Sequence, residues 1–173
     1  MIIEKATITD LDELEHLYNN LNDYLSTHTN YPGWAKNVYP TRETAAAGIK
    51  EDALYVARES GRIAGTFILR HTPEEGYQKA DWHIDLDYCD ILVLYTFAVH
   101  PDYFGRGIGT KLLTFIQSHA ASHHIKAIRL DVYEKNTPAI SLYQKCGFQY
   151  IATVDLGYSS YGLEHFKLYQ KLL

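Results

Sequence analysis

Three glycines at alternate positions mark the segment of the sequence best suited to hold a ligand. Gly105, Gly107 and Gly109 lie between an apolar run and a helix-forming stretch, and Arg106 and Lys111 add positive charge. Glycine lets the backbone approach a ligand closely, and the first amides of a helix point outward with the positive end of the helix dipole behind them. A plain tight turn would need only one of these glycines. The segment therefore predicts a cradle for a phosphate or pyrophosphate group.

Two common phosphate-binding motifs do not fit this segment. The spacing of a P-loop, G-x-x-x-x-G-K-[ST], is not met. A dinucleotide fingerprint, G-x-G-x-x-G, is satisfied by Gly105 and Gly107, but its third position is Thr110. That fingerprint also belongs near the first strand of repeated strand–helix units, of which only one is evident here.

The elements around the cradle form a strand–helix–strand unit. An unbroken apolar run, Ile91–Val99, predicts a strand buried on both faces, and a helix follows from about Gly107 to His123. The strand Ala127–Tyr133 must then be parallel to the first. The other expected elements are strands at 2–6, 54–58, 62–69, 148–155 and 164–172, and helices from about 10, at 42–50 and from 137 to about 146. These elements predict one α/β domain over residues 1–173, with a mixed, twisted sheet of about seven strands flanked by helices.

Composition excludes several classes of protein. Hydrophobic residues make up 46% and charged residues 21% of the 173 residues, which is typical of a globular domain and not of a disordered chain. The net charge of −5 argues against nucleic-acid binding, which needs a basic face. Two cysteines, no leader sequence and apolar runs about half as long as a bilayer-spanning helix predict a cytoplasmic protein that makes no membrane contact.

Two motifs, one around the glycine-rich turn and one from Asn136 to Phe148, resemble those of the GNAT superfamily of acetyl-CoA-dependent N-acetyltransferases. Gly107 and Gly109 match the small positions of its [RQ]-x-x-G-x-[GA] signature, which follows an apolar strand and a V-x-P turn, here at Val99. The segment from Asn136 to Phe148 is similar to the family's N-x-x-A-x-x-x-Y-x-x-x-G-F pattern. Phe104 departs from the family by standing where Arg or Gln is usual, which leaves the backbone cradle intact.

The resemblance implies transfer of an acetyl group from acetyl-CoA to a primary amine of a small molecule or peptide, by direct attack and without a metal. Tyr143 would act as general acid toward the departing thiolate, and the strands 91–99 and 127–133 would splay apart at one end. Asn136 would bond the cofactor through its side chain or serve as a helix-entry residue. The residues expected to bind the cofactor are Phe97, Ala98, Val99, Gly105, Arg106, Gly107, Ile108, Gly109, Thr110, Asn136 and Tyr143.

The general base and the acceptor site are less defined. Asp90, Glu134 or a water could serve as base, and each carboxylate could equally be a solvated surface charge. Acceptor walls are expected in the aromatic loop with Tyr31 and Trp34, or in the acidic segment with Asp85 and Asp87, which would suit a cationic amine. A lid on the core and a solvated loop are the respective alternatives. The turn 158–161 is a third candidate wall, and the 15 tyrosines suit an aromatic pocket or a homodimer face alike.

The residues also bear on two other functions, an acyl-CoA sensor and a nucleotide-binding domain, and on a metal site. A non-catalytic acyl-CoA sensor or docking module would carry the same cradle, and the missing base and Phe104 favour it. A nucleotide-binding domain of another class is disfavoured by the failed spacings. His119 and His123 lie at i, i+4 beside His124, but no glutamate stands between them as in H-E-x-x-H, so no metal site is expected.

Overall fold

The computed structural model describes every residue from Met1 to Leu173, and its elements follow the predicted order. The strands are β1 (Ile2–Lys5), β2 (Leu54–Glu59), β3 (Arg62–Arg70), β4 (Ile91–Val99), β5 (Ala127–Tyr133), β6 (Gln149–Val154) and β7 (Phe166–Leu172). The helices are α1 (Leu11–Thr27), α2 (Arg42–Lys50), α3 (Ile108–Ser122) and α4 (Thr137–Lys145).

The seven strands form one sheet in the order β1-β2-β3-β4-β5-β7-β6. β4 and β5 are parallel, whereas the pairs β1–β2, β2–β3, β5–β7 and β6–β7 are antiparallel. The predicted mixed sheet of about seven strands is therefore confirmed. No helix of the chain is both long enough and apolar enough to span a bilayer.

The parallel ladder between β4 and β5 is short. It joins Ile91–Leu94 to Ala127–Leu130, and no pairing between these two strands continues beyond Leu94 and Leu130. β4 nevertheless runs on to Val99 and β5 to Tyr133, where β5 stays paired with β7. The end of this ladder agrees with the divergence of the two strands that the resemblance implies.

Helix α1 forms because apolar residues recur at helical spacing and bury one face. Leu14, Leu17, Leu21 and Leu25 are all buried. Asp10 occupies the N-cap position, as the sequence suggested, but its side chain does not cap the helix. Its carboxylate instead accepts a hydrogen bond from the Thr7 amide and pairs with Arg58 on β2, so it ties the start of α1 to the sheet.

Helix α4 begins at Thr137, as the sequence predicts. Asn136, not Thr137, is the N-cap, and its side-chain oxygen accepts a hydrogen bond from the Ala139 amide at 3.4 Å. Pro138 lies in the first turn, where its missing N–H costs nothing. The helix-entry role of Asn136 is thus confirmed, and a bond from its side chain to a cofactor stays a prediction.

The residues group into two compact units. The first comprises 1–30, 34–69 and 96–112, and its buried residues include the apolar face of α1 and most of β2 and β3. The second comprises 31–33, 70–95 and 113–173. One face of its strands is covered by Tyr77 and Trp82, which pack on Ile91, Val93 and Leu168.

Candidate active site

Strand β4 carries a backbone irregularity at Thr96. Thr96 has φ 47°, a conformation that β-branched residues rarely adopt, and it is buried. The Thr96 and Tyr39 hydroxyls form a hydrogen bond of 2.6 Å. Such a kink redirects the backbone groups of the residues that follow, here Phe97, Ala98 and Val99. These are the residues whose main-chain groups the sequence resemblance assigns to the ligand.

The glycine-rich turn has open space where a phosphate would lie. Gly105 and Gly107 have φ of 73° and 72°, and a Cβ built on either would meet no atom within 4 Å. The Lys111 amide bonds the Gly107 carbonyl in the first turn of α3, so the amides of Ile108 and Gly109 stand at the start of the helix. An anion with several oxygens fits this arrangement of amides and free volume.

The side chains of the turn contribute unequally to such a site. Ile108 is buried, so only its main chain could face a ligand, whereas Arg106 and Thr110 are exposed. The Arg106 guanidinium lies 5.2 Å from the centre of the Tyr103 ring. Phe104 is also exposed, and its ring meets the ring of Tyr24 edge-on at 5.3 Å. Phe104 therefore adds apolar surface where the family usually has a hydrogen-bonding side chain.

Tyr143 lies on α4 in the second unit and is 5% exposed. Its ring packs against Phe148 with ring centres 5.9 Å apart. Burial, together with the charge of Asp131, raises the pKa of the Tyr143 phenol far above its ordinary value of 10. The phenol therefore keeps its proton at neutral pH and can act only as a proton donor.

Asp131 is a functional candidate that the sequence reasoning missed. It is the first residue of β5 beyond the ladder with β4, and it is partly buried. Burial and the charge of Glu74 raise its pKa to about 6, although a hydrogen bond from the Tyr77 hydroxyl at 2.7 Å opposes that rise. A carboxylate with this pKa is ionised at neutral pH and can accept a proton. The available signal was a single acidic residue within the buried strand sequence AIRLDVY.

Comparison with known proteins decides the family of this chain. The sequence model of the acetyltransferase (GNAT) family matches residues 14–148, well over half of the chain. The chain belongs to the GNAT family. The resemblance carried by the two motifs is thereby confirmed.

Two curated relatives of this GNAT chain come from Bacillus subtilis strain 168. An S-(2-succino)cysteine N-acetyltransferase is 32% identical over 111 residues, covering 63% of this chain and 62% of the relative. The UPF0157 protein YqkA is 28% identical over 152 residues, covering 88% of this chain and 32% of the relative. The chain thus spans from about a third to about three fifths of the length of these relatives.

Solved structures agree with the fold. A GNAT-family acetyltransferase from Streptococcus agalactiae 2603 has a TM-score of 0.81 and 24% identity to this chain, covering 99% of it and 95% of the other. This likeness shows the fold alone. It confirms the GNAT-like α/β architecture expected from the sequence.

Of the two carboxylates expected as the base of this GNAT domain, Asp90 is engaged in an ion pair and Glu134 lies beside a histidine. Asp90 precedes β4 and pairs with Lys126 at 2.6 Å. Glu134 follows β5 and lies 3.5 Å from a ring nitrogen of His165. Asp131, by contrast, makes no ion pair and lies close enough to Tyr143 for its charge to raise the pKa of that phenol. Asp131 is therefore a third carboxylate to consider as the base.

The four residues of the GNAT domain that are expected to line the acceptor site lie in different segments of the chain. Asp85 and Asp87 are exposed on the segment before β4, at the amino ends of β4 and β5, whereas Asp131 lies toward the carboxyl end of β5. Tyr31 is exposed in the second unit. Trp34 belongs to the first unit, where its ring meets Tyr39 edge-on at 5.4 Å. A role in acceptor binding for these four residues stays a prediction.

The third wall considered, the turn 158–161, lies near the candidate base. The charges of Glu74 and Asp131, in addition to burial, raise the pKa of Tyr158, which places that phenol beside both carboxylates. Tyr161 in the same turn is exposed.

The histidines at the end of α3 do not form part of a metal-binding cluster. The His119 and His123 rings are 4.2 Å apart, and no group of three or more His, Cys, Asp or Glu side chains is placed to hold an ion.

Proposed function

We propose that this chain is an acetyl-CoA-dependent N-acetyltransferase that acts on a primary amine of a small molecule or peptide. The observation that carries the proposal is that one unit of the chain holds both a partly buried carboxylate, Asp131, and a buried, protonated phenol, Tyr143. Acetyl transfer to an amine needs a proton acceptor and a proton donor, and these two groups supply them. A module that only binds acyl-CoA needs neither.

The glycine-rich turn supports the use of acetyl-CoA. Gly105 and Gly107 leave free volume in front of the first amides of α3, and Arg106 adds a positive charge at that surface. Phosphate oxygens of the cofactor would accept hydrogen bonds from these amides. The kink at Thr96 would direct main-chain groups of Phe97, Ala98 and Val99 toward the pantetheine arm and the acetyl carbonyl.

In the proposed reaction Asp131 accepts a proton and Tyr143 donates one. When bound, acetyl-CoA supplies an activated thioester. Asp131 removes a proton from the acceptor's ammonium group, whose pKa is about 10 if it resembles lysine. Tyr143 donates its phenolic proton to the sulfur as the C–N bond forms and the C–S bond breaks. The second proton that the nitrogen loses as it becomes an amide then restores the Tyr143 phenol. The departing thiol has an ordinary pKa of about 8.5, and a site that excludes water raises the pKa of the thiol as it does that of the phenol.

The charges close to Asp131 indicate which class of acceptor amine the site would favour. Glu74 and Asp131 make the surroundings of Tyr158 anionic, which favours an acceptor that arrives as a cation. One curated relative is named for N-acetylation of an amino-acid derivative, S-(2-succino)cysteine. An amino-acid derivative, a diamine and a peptide with a free N-terminus are therefore suitable first acceptors to try.

The first experiment is isothermal titration of the purified chain with acetyl-CoA, desulfo-CoA and ATP in parallel. We expect micromolar binding of both CoA compounds and no binding of ATP. Thiol release with the three amines would follow. Absence of CoA binding would contradict the proposal, and tight binding without acetylation of any amine would favour the sensor or docking module instead. ATP competing better than CoA would indicate a nucleotide-binding domain.

A further inference from the structure

The candidate base is held by a side chain from a segment without regular strands or long helices. Tyr77 lies in the short 3-10 turn Glu75–Lys79, between β3 and β4, and it is completely buried. Its hydroxyl donates a hydrogen bond of 2.7 Å to Asp131 Oδ1. Burial and the charge of Asp131 raise the pKa of Tyr77 well above 10, so this hydroxyl remains a donor across the physiological range.

Tyr77 is itself fixed by Trp82. The Trp82 indole N–H donates to the Tyr77 carbonyl at 3.0 Å, and the two ring centres are 5.3 Å apart. Gly76, directly before Tyr77, allows the turn to approach Leu156 so closely that a Cβ would lie 2.4 Å from that side chain. Neighbours on two sides thus leave the Tyr77 ring little freedom to move.

The contacts of Trp82 lead back to the strand that carries Asp131. The Arg129 guanidinium, on β5 two residues before Asp131, lies 4.1 Å from the centre of the Trp82 ring. Gln170 accepts a hydrogen bond from Arg129 Nε at 2.8 Å and donates one to the Trp82 carbonyl at 3.2 Å. Arg129 and Gln170 are buried. The series of contacts that begins at Asp131 and passes through Tyr77 and Trp82 therefore ends at Arg129, on the same strand as Asp131.

Apart from Tyr77, only the backbone amide of Asp131 itself stabilises the charge of this carboxylate. Glu74, from the same segment as Tyr77, is a second carboxylate, and its charge raises the pKa of Asp131. The β7 residue paired with Asp131 is Leu168, and Arg129 bonds Gln170 and Tyr88 without forming an ion pair with Asp131. Three further phenols are sensitive to the charge of Asp131: Tyr95 on β4, Tyr143 on α4 and Tyr158 after β6. Tyr95 donates its hydrogen bond elsewhere, to the Thr72 carbonyl at 2.8 Å.

We propose that Tyr77 is a positioning residue that fixes the Asp131 carboxylate for proton removal and keeps it ionised close to neutral pH. The inference rests on the proposed role of Asp131 as general base. A hydrogen bond to the charged form of an acid favours that form, so the Tyr77 hydroxyl offsets part of the effect of burial and of Glu74. Without it, Asp131 would hold its proton to higher pH and would be free to rotate.

The test is the variant Tyr77→Phe, which removes one oxygen and keeps the ring that packs on Trp82. The pH dependence of kcat/KM reports the base in the free enzyme. We expect its acid limb, near pH 6 in the unmodified chain, to move up by about one pH unit. At pH 9 the variant should retain kcat/KM within about twofold. Tyr95→Phe is the matched control, because the Tyr95 hydroxyl bonds the Thr72 carbonyl and not Asp131. The acid limb of kcat/KM should stay in place in this variant.

A second readout does not depend on activity. The Asp131 carboxyl carbon can be followed by carbon-13 NMR during a pH titration, with its signal identified by its absence in Asp131→Asn. We expect its midpoint to rise in Tyr77→Phe and not in Tyr95→Phe. Equal midpoints in Tyr77→Phe and the unmodified chain would overturn the proposal. A Tyr77→Phe variant that does not fold would overturn it as well, since the hydroxyl would then serve folding rather than the base.

The two readouts separate this inference from the proposed function. A raised NMR midpoint without acetylation of any amine would uphold the link between Tyr77 and Asp131 and contradict the enzymatic assignment. Acetylation with an unmoved acid limb and midpoint would uphold the enzyme and reject the role of Tyr77.

Discussion

The carboxylate of Asp131 raises the pKa of the Tyr143 phenol, so the protonation states of these two residues are coupled. While Asp131 is ionised, its charge holds the proton on Tyr143. Once Asp131 has taken a proton from the amine, that charge is gone and the phenol becomes a stronger acid. Proton transfer to Asp131 therefore favours proton release from Tyr143, while burial, the larger cause of the raised pKa, remains.

The first prediction concerns the base. Asp131→Asn keeps the shape of the side chain and removes its ability to take a proton, so kcat should fall by about 10²- to 10⁴-fold. Thiol release with an acceptor amine measures this. Asp90→Asn and Glu134→Gln, which change the carboxylates expected from sequence, should retain nearly full activity, because Asp90 is held in an ion pair with Lys126 and Glu134 contacts His165. Loss of activity in Glu134→Gln together with an active Asp131→Asn would reverse the assignment.

The second prediction concerns the acid. Tyr143→Phe should lower kcat by about 10²-fold, because the thiolate then leaves without a proton donor. The dissociation constant for acetyl-CoA, measured by calorimetry, should change little, since the ring that packs on Phe148 remains. Tyr150→Phe removes an exposed phenol bonded to Thr153 and should leave kcat unchanged. An undiminished kcat in Tyr143→Phe would exclude its role as proton donor.

The third prediction concerns stability and pH. Because the pKa of Asp131 is about 6 in the folded chain against an ordinary 3.8, the folded state holds this proton more tightly, and stability decreases as pH rises through 6. The full difference corresponds to about 3 kcal/mol. Asp131→Asn should therefore melt at a higher temperature than the unmodified chain at pH 8, with little difference near pH 4.

Thermal melts of both proteins across that range measure the effect, and the surface variant Asp90→Asn should show no such gain at pH 8. A melting difference between Asp131→Asn and the unmodified chain that does not change with pH would show that Asp131 titrates normally in the folded state.

The fourth prediction concerns the cradle. Gly107→Ala places a methyl group in the free volume in front of the α3 amides and imposes a positive φ on alanine, which costs about 1–2 kcal/mol of stability. Affinity for acetyl-CoA should fall at least about tenfold. Gly61→Ala is the matched control, since Gly61 has φ 81° with nothing near its Cβ position and lies in the β2–β3 hairpin.

Both variants should lose similar stability in denaturant melts, and only Gly107→Ala should lose cofactor binding in calorimetry. Equal acetyl-CoA affinity in the two variants would place the phosphates elsewhere.

Local patterns in the sequence were sufficient for the elements and for the cradle. The apolar run Ile91–Val99, the helical spacing in α1 and the glycines at 105 and 107 act within a few residues, so each could be interpreted without knowing what packs against it. Helix ends were less certain, as Asp10 and Asn136 illustrate, because a capping side chain can bond the nearest amide or a distant partner.

The identity of the base was decided only by the tertiary structure. Asp131 is the single acidic residue of β5, but in an alternating strand sequence this signal alone does not show that the carboxylate is partly buried. Its proton affinity depends on burial, on Glu74 and on the Tyr77 hydroxyl, which are brought to it from another part of the chain. The sequence determined which residues could bind phosphate or transfer a proton. Only folding decided which carboxylate is partly buried and bonded by the Tyr77 hydroxyl, because the pKa of a group depends on its neighbours in space.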